Sequence, residues 1–440
     1  MCVFVLSTAA EVGSNFPVIW SVMPFVVLLL SMALLPVINL HFWEKAYAWI
    51  AFGLAFGVAL YYVAILKSIS PLIHGLKDYV NFIALIGSLY VISGSIHLSV
   101  KGEATPLRNI IFLCLGAVLS NVVGTTGAAM LLIRPWIRMN KYRLTEYHIV
   151  FFIFIVCNVG GGLTPVGDPP LYIGFLKGVP FFWTVQNLFW AWLTTLGLLL
   201  AVFAVLDIQN FKRSPLKVRQ EQTKQEVFKL LGRVHLIYLI GVLGCIFLPQ
   251  VYHERVWLGV LSLPSAVMLI LGLISYKTAQ KEIHEKNDFN FQPVKEVAIL
   301  FIGIFITMLP ALAWLQTGGG VQLSSPFSYY LSCGTLSGCL DNAPTYLSFL
   351  AAAMGSYDLD VNQAEQVRQF LTTHPALLKS ISCGAVFFGA MTYIGNGPNL
   401  MVKSIADQAS EKVPHFIRYM THYSLIYLLP ILLVVGWLFF

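Results

Sequence analysis

A polytopic α-helical membrane protein is the fold class this sequence predicts, and three observations predict it. Only 11% of the 440 residues are charged, 58% are hydrophobic, and the mean hydropathy is +0.77. A soluble domain carries about 25% charged residues. The apolar residues fall in runs of about 20, the length that crosses a hydrocarbon core of ~30 Å. The 27 Lys and Arg gather in short segments between those runs. A large soluble enzyme, a disordered chain and a secreted disulfide scaffold are excluded. The net charge of +7 reads as membrane orientation and not as nucleic-acid binding. The seven cysteines show no metal-ligand spacing. All but Cys2 lie in apolar segments and read as small packers.

Taken in order, the runs predict ten spans: Val18–Leu40, Ala46–Leu66, Tyr79–Val100, Tyr147–Leu176, Phe182–Leu206, His235–Val251, Trp257–Tyr276, Val297–Leu315, Leu378–Ile405 and Thr421–Phe440. Residues 1–17 form an N-terminal tail. Met1–Ala10 is apolar but short, and no Lys or Arg precedes Lys45, so it lacks the basic front of a signal peptide. Two further stretches, Leu107–Ile137 and Phe327–Met354, carry a polar centre with Gly or Pro. Each is too short for two spans and a loop, so each reads as a re-entrant hairpin with its tip in mid-membrane. Backbone exposed at that depth is tolerated only inside protein or beside a wet cavity.

Orientation follows from the basic residues. With the linker 207–234 in the cytoplasm, alternation puts 21 Lys and Arg inside and six outside: Lys67, Lys77, Lys177, Arg255, Arg368 and Lys379. Both termini then lie outside, in the periplasm if the membrane is a bacterial inner membrane. Residues 18–206 and 235–440 each hold three spans, a hairpin, a broken span and a final span. Five spans is an odd number, so the second half runs inverted, an architecture of secondary transporters. An echo supports the repeat. Gly161, Thr164, Gly167 and Pro170 match Gly389, Thr392, Gly395 and Pro398 at one constant offset, and the tips pair Ser120-Asn121 with Asp341-Asn342.

Asp168 and Asp341 are the only acids of the 20 expected at mid-membrane depth. An Asp at a helix centre costs roughly 2.5–3.5 kcal/mol to insert and usually marks an ion or proton pathway. Both stand where Gly and Pro break the helix. Asp168 precedes Pro169-Pro170 and Asp341 precedes Pro344 by three residues, so each also suits the N-cap of a half-helix. Around them stand Asn121, Thr125 and Thr126 at the first tip, and Asn342 and Thr345 at the second. Asn158, Thr164, Thr392, Asn396 and Asn399 lie in the broken spans. They offer neutral oxygens for a partly dehydrated Na⁺, or partners for the freed backbone. Arg134 and Lys177 read as snorkelling side chains, His97 as a packed histidine in preference to a proton relay, Lys403 equally as a contact to the site from below or a cytoplasmic anchor, and Gly318-Gly319-Gly320 as an outer loop.

At these segments the sequence resembles the ion transporter superfamily, which includes NhaD-type sodium/proton antiporters, citrate and dicarboxylate carriers and arsenite permeases. It is closest to bacterial sodium:proton antiporters and citrate-transporter-like permeases. The carrying runs are Gly124–Pro135, Gly160–Pro170 continuing to Trp183, Asp341–Thr345 and Gly395–Leu400. The resemblance implies a two-repeat fold with two hairpins and a central site at Asp168, Asp341, Asn342, Thr164 and Asn396. Dicarboxylate carriers show Ser-Asn-Thr at both tips, whereas these tips read Ser120-Asn121-Val122 and Asp341-Asn342-Ala343. Typical sodium/proton antiporters lack the Gly397-Pro398-Asn399 run.

A carboxylate at the site repels citrate and attracts Na⁺, Li⁺ or H⁺. The leading expectation is a sodium/proton antiporter working by alternating access, with Asp168 and Asp341 holding Na⁺ transiently. A Na⁺-coupled citrate or dicarboxylate symporter is the alternative. An intramembrane aspartyl protease is remote, because Pro165-Val166-Gly167-Asp168 lacks the Gly-x-Gly-Asp pattern; a channel suits two opposed tips less well. Transported Na⁺ and H⁺ are expected, with no bound cofactor, no enzymatic activity and no nucleic-acid partner. The bilayer and small ions are the expected partners, with a homodimer as the possible assembly.

Overall fold

The structure, a computed structural model, describes residues 16–101, 104–213, 227–247, 256–257, 260–319, 323–408 and 413–440. The tail before residue 16, residues 214–226 of the basic linker and the end of the span drawn to Val251 lie outside the described residues. The protein is an all-α multi-pass membrane protein. Helices α1 (Met23–Ile38), α2 (Leu40–Leu60) and α3 (Ser70–Gly94) come first, followed by the strand β1 (His97–Lys101). Then come α4 (Pro106–Asn140), α5 (Glu146–Ile155), α6 (Pro169–Leu176) and α7 (Phe181–Arg213). Strand β2 (Val227–Leu231), α8 (His235–Ile246), a short ribbon of β3 (Val256–Trp257) and β4 (Leu261–Ser262), and α9 (Leu263–Thr278) follow. After α10 (Lys281–Lys286), the series runs through α11 (Gln292–Trp314), α12 (Pro326–Cys339), α13 (Asn342–Gly355) and α14 (Ala364–Thr373). It ends with α15 (Pro375–Phe388), α16 (Gly397–Gln408), α17 (Phe416–Tyr419) and α18 (Leu429–Phe439), the last two joined by a π-helical turn.

Seven helical segments among the described residues are long and apolar enough to cross a bilayer. Pro106–Asn140 counts among them by length, yet it is folded back on itself. Gly124 (φ 77°, ψ 156°) breaks the helix. The Asn109 and Asn140 side chains meet at 2.8 and 3.2 Å, although 31 residues of straight helix would hold them about 46 Å apart. Residues 106–140 are therefore a hairpin, as α12 and α13 are, broken at Leu340-Asp341. Two further helical stretches are interrupted. α5 stops at Ile155 and helix resumes at Pro169; α15 stops at Phe388 and resumes at Gly397.

The order of elements recurs: three helices, a hairpin, a broken span, a closing helix. α7 fixes where the hairpins enter. Its 27 residues from Phe181 to Asp207 span about 39 Å. The base of the first hairpin meets α7 at Asp207, through Asn109 (3.0 Å). Beyond the second hairpin, Asn362 meets Lys177, just before α7 begins (2.8 Å). The hairpins thus come from opposite ends of α7 and meet between them.

Packing follows patterning. Ile149 to Cys157 are fully buried, as expected for a helix apolar all round, so α5 is the centre of the molecule and faces no lipid. α7 buries Leu188, Ala191, Trp192, Thr195, Leu196, Leu199 and Phe203 at helical spacing, and exposes Trp190 and Phe182. Trp192 Nε1 donates to Gly160 O (3.2 Å) and Thr184 Oγ1 to Leu163 O (2.8 Å), so this helix buttresses the first break.

Two expectations are corrected. The span drawn to Val100 ends at Gly94. Residues 97–101 form β1, paired antiparallel with β2 in the register His97 to Leu231 and Lys101 to Val227. Asp207, drawn as the start of the cytoplasmic linker, lies inside α7, which runs to Arg213, and is fully buried. It receives both terminal nitrogens of Arg143 (Nη2 at 2.9 Å), Tyr147 OH (2.9 Å), His148 Nε2 (3.1 Å) and Asn109 Nδ2. Five donors on one carboxylate satisfy it, and they clamp the hairpin base, α5 and α7 together. A dry ion pair persists only with such full satisfaction.

Candidate ion site

The four broken elements meet at Asp168. Its residue is 1% exposed. Oδ1 accepts from Thr125 Oγ1 (3.0 Å) and from Asn396 Nδ2 (2.8 Å), and Oδ2 accepts from Asn342 Nδ2 (2.7 Å). Thr125 is the tip of the first hairpin, Asn342 the tip of the second, and Asn396 lies in the second break. One carboxylate therefore takes one donor from each of the other three elements.

Local sequence explains why this side chain is available. Asp168 occupies the N-cap position of α6 but makes no side-chain cap. The N-cap carboxylate normally bonds the N–H of N2 or N3. Here N1 and N2 are Pro169 and Pro170, which have no N–H, and the N–H of Leu171 goes to Asp168 O (3.1 Å). Asp341 behaves differently. Position N2 of α13 is Ala343, whose N–H donates to Asp341 Oδ1 (3.0 Å). Asp341 is half-buried and serves as a helix cap one residue from the site.

The backbone at the two breaks follows one pattern. Gly167 N donates to Thr164 Oγ1 and Gly395 N to Thr392 Oγ1, both at 3.1 Å. The hairpin tips dock alike: Thr125 N donates to Gly167 O (2.8 Å) and Asn342 N to Gly395 O (3.2 Å). A Cβ on Gly167 would lie 2.1 Å from Gly161 O, and one on Gly395 2.6 Å from Gly389 O. These glycines are required by close backbone approach. Asp168 and Asn396, equivalent in this pattern, are the pair that touch.

A second layer holds Asn396. Its Nδ2 also donates to Cys157 O (2.9 Å) and lies 3.2 Å from Asn158 Oδ1; Asn158 donates to Asn399 Oδ1 (2.8 Å); Asn399 donates to Gly389 O and Thr392 O (both 2.9 Å). Other expected site residues serve the backbone. Asn121 donates to Gly160 O and accepts from the N–H of Leu163 and Thr164, while Thr164 Oγ1 donates to Asn121 O. Thr345 Oγ1 donates to Asp341 O (2.8 Å). Sequence reasoning treated the two aspartates as equals. The signal that separates them was present: two prolines after Asp168 and a free N–H two residues after Asp341.

The remaining candidates lie elsewhere. His97 is packed against Asn287 (2.7 Å), and Lys403 pairs with Asp407 (2.6 Å). Arg134 pairs with Asp288 (3.3 Å). Lys177 is pinned by Asp78 and Asn362, both at 2.8 Å, instead of snorkelling.

Among the described residues, Asp168 makes no ion pair, and no cluster of three His, Cys, Asp or Glu could hold a resident metal. The Asn342 Oδ1 atom beside it is buried without a partner. A cavity of 20 Å³ lies against Asp168, lined by Leu85, Leu89, Gly124, Thr126 and Tyr172 among others. That volume admits one water-sized occupant.

No curated protein matches the chain. A family model described as "Putative citrate transport" matches residues 13–440, nearly the whole chain. A buried acid where two hairpins and two broken spans converge is what a transporter of small ions or carboxylates needs at its centre, and the chain belongs to this citrate-transport family, as a secondary transporter of the membrane.

Proposed function

We propose that the protein is a cation/proton antiporter, with Asp168 as the site that Na⁺ and H⁺ occupy in turn. One observation carries this reading: a fully buried carboxylate is surrounded by three neutral donors and no cation. Such a charge is costly unless a cation or proton neutralises it. Asn342 Oδ1, orphaned beside it, supplies a neutral ligand oxygen of the hard type Na⁺ takes. The 20 Å³ cavity suits a monatomic ion and is far too small for citrate. Thr125, Asn342 and Asn396 come from three different elements, so exchanging the occupant changes contacts on all of them, which is the differential interaction alternating access requires. Asp341 borders the site as a helix cap and adds a second negative charge near it. The distribution of the basic residues supports an orientation with both termini outside.

Na⁺-coupled citrate symport is the second reading, favoured by the family description. Aspartyl proteolysis needs two carboxylates sharing a proton, whereas Asp168 and Asp341 each bond other partners. The deciding experiment uses purified protein in proteoliposomes with an internal pH reporter and labelled citrate. Antiport predicts proton movement driven by a Na⁺ or Li⁺ gradient without citrate. Na⁺-dependent citrate uptake with no such proton movement would replace antiport by symport.

A further inference from the structure

A second cavity, of 280 Å³, lies further along α3 and α6 from the ion site. Its polar wall carries His74 and Asp78 of α3 and Lys177 at the end of α6; its apolar wall is Phe305, Leu312 and Ala313 of α11. At about 30 Å³ per water it holds several waters. The ammonium of Lys177 is neutralised by Asp78 at 2.8 Å, so the chamber does not repel cations.

The two cavities share the same two helices. Asp78 and Lys177 line the larger one; Leu85 and Tyr172 line the smaller one. Helical rise puts them about 10 Å apart along α3 and about 8 Å apart along α6. Between them stands a layer of buried rings. Phe82 stacks on Phe301 (centroids 4.6 Å apart) and packs against Phe305 (5.7 Å) and Tyr172 (6.3 Å). The Tyr172 hydroxyl donates to Asn81 O (3.3 Å), and Asn81 Oδ1 accepts from the hydroxyls of Ser262, the N-cap of α9, and Ser265 in its first turn. The ring on α6 is thus moored to α3, and α6 begins directly after its N-cap, Asp168.

We propose that the larger cavity is the antechamber of the ion site, holding a hydrated monovalent cation, and that Phe82 and Tyr172 form the barrier where the ion sheds its water. The proposal rests on reading Asp168 as the ion site. The volumes require a dehydration step between the chambers, since one admits a hydrated ion and the other a single water-sized body. Aromatic faces tolerate a passing cation better than aliphatic walls do. Release of the Tyr172 hydroxyl from Asn81 accompanies any shift of α6 relative to α3.

Thiol chemistry tests this without any transport measurement, so its outcome is separate from that of the antiport assay. Ala313→Cys reports on the antechamber and Thr125→Cys on the ion site. The reagents are a membrane-impermeant methanethiosulfonate cation and Ag⁺, and modification is counted by mass spectrometry against the thiols of the parent protein. Ala313→Cys is expected to react with both reagents from one face of the membrane only. Thr125→Cys is expected to resist the bulky reagent and to react slowly with Ag⁺, on the order of tenfold faster once Phe82→Ala is added, a change of about 1.4 kcal/mol in barrier. Phe82→Leu, which keeps the packing, serves if Phe82→Ala does not accumulate, and an increase in the same direction is expected. An inert Ala313→Cys, or a Thr125→Cys rate with Ag⁺ unmoved by either Phe82 variant, overturns the proposal.

Discussion

Replacing Asp168 by Asn removes one charge and almost nothing else. The carboxylate accepts three hydrogen bonds, two on Oδ1 and one on Oδ2. In Asp168→Asn the carbonyl oxygen keeps the bonds from Thr125 and Asn396. The new amide nitrogen then faces Asn342 Nδ2, donor against donor. Asn342 resolves the conflict by turning its amide over, because its own Oδ1 is free of partners. No bond is lost in number, and the net stability change stays within about 1 kcal/mol. Asp168→Ala is a poor substitute: it strands three buried donors at about 1–3 kcal/mol each, and the protein should fail to accumulate.

The ion feels the difference. Two unit charges about 4 Å apart at an effective dielectric of 20 attract by about 4 kcal/mol. Their loss weakens cation binding by roughly a thousandfold. The measurement is Na⁺-driven proton movement in proteoliposomes, with the amount of inserted protein matched. Asp168→Asn is expected to accumulate normally and show no signal at any attainable Na⁺ concentration. A signal within about threefold of the parent, against that roughly thousandfold expectation, would refute the reasoning, because no other buried acid among the described residues touches all four broken elements.

Outcomes at four further residues follow from the geometry. Asp207→Asn leaves the Arg143 guanidinium buried with a halved partner and should cost about 3–5 kcal/mol, read as a lowered unfolding midpoint in detergent. Gly167→Ala, whose Cβ would meet Gly161 O at 2.1 Å, should abolish accumulation. Gly124→Ala, at φ 77° and ψ 156°, a backbone region that belongs essentially to glycine, with 3.2 Å to Val166 O, should cost about 1–3 kcal/mol and still fold, measured by the same unfolding curve. Asp341→Asn retains a good N-cap and should match the parent in stability, whereas Asp341→Ala loses about 1 kcal/mol. Transport by Asp341→Asn should fall far less than by Asp168→Asn, since the Asp341 carboxylate caps its own helix and takes no donor from the other broken elements among the described residues.

The spans and their breaks were legible because lipid imposes length and forbids unpaired backbone. A run such as Tyr147–Leu176 with Gly-Gly-Gly and Pro-Pro at its centre admits few other structures. The repeat was legible in four matched residues because Thr164 and Thr392 each accept a glycine N–H in the same turn. Contacts between distant segments were not legible. The buried state of Asp207 depends on residues 109, 143, 147 and 148, none of which carries a mark that separates it from a loop residue. Strand β1 lies between these cases. Its alternation of His97, Leu98, Ser99, Val100 and Lys101 has the period of a strand, but its partner is about 130 residues away, and a hydropathy run absorbs it.

The charge at the centre constrains both functional readings in the same way. Lys177 is committed to Asp78 and Arg143 to Asp207, and each lies at one end of α7. Neither contributes a cation to the convergence of the hairpins, which therefore carries the negative charge of Asp168, with Asp341 beside it at the second hairpin tip. A polycarboxylate brought within about 4 Å would be repelled by about 4 kcal/mol per unit charge at an effective dielectric of 20. Citrate could approach only after a cation had occupied Asp168. Cation binding at Asp168 is thus the first event in antiport and in symport alike, and the readings divide at the second, where either a proton replaces the cation or an anion joins it. The Asn variant separates them: under antiport Asp168→Asn is silent toward every substrate. Under symport it gains Na⁺-independent citrate binding, because the repulsion that Na⁺ had to neutralise is gone.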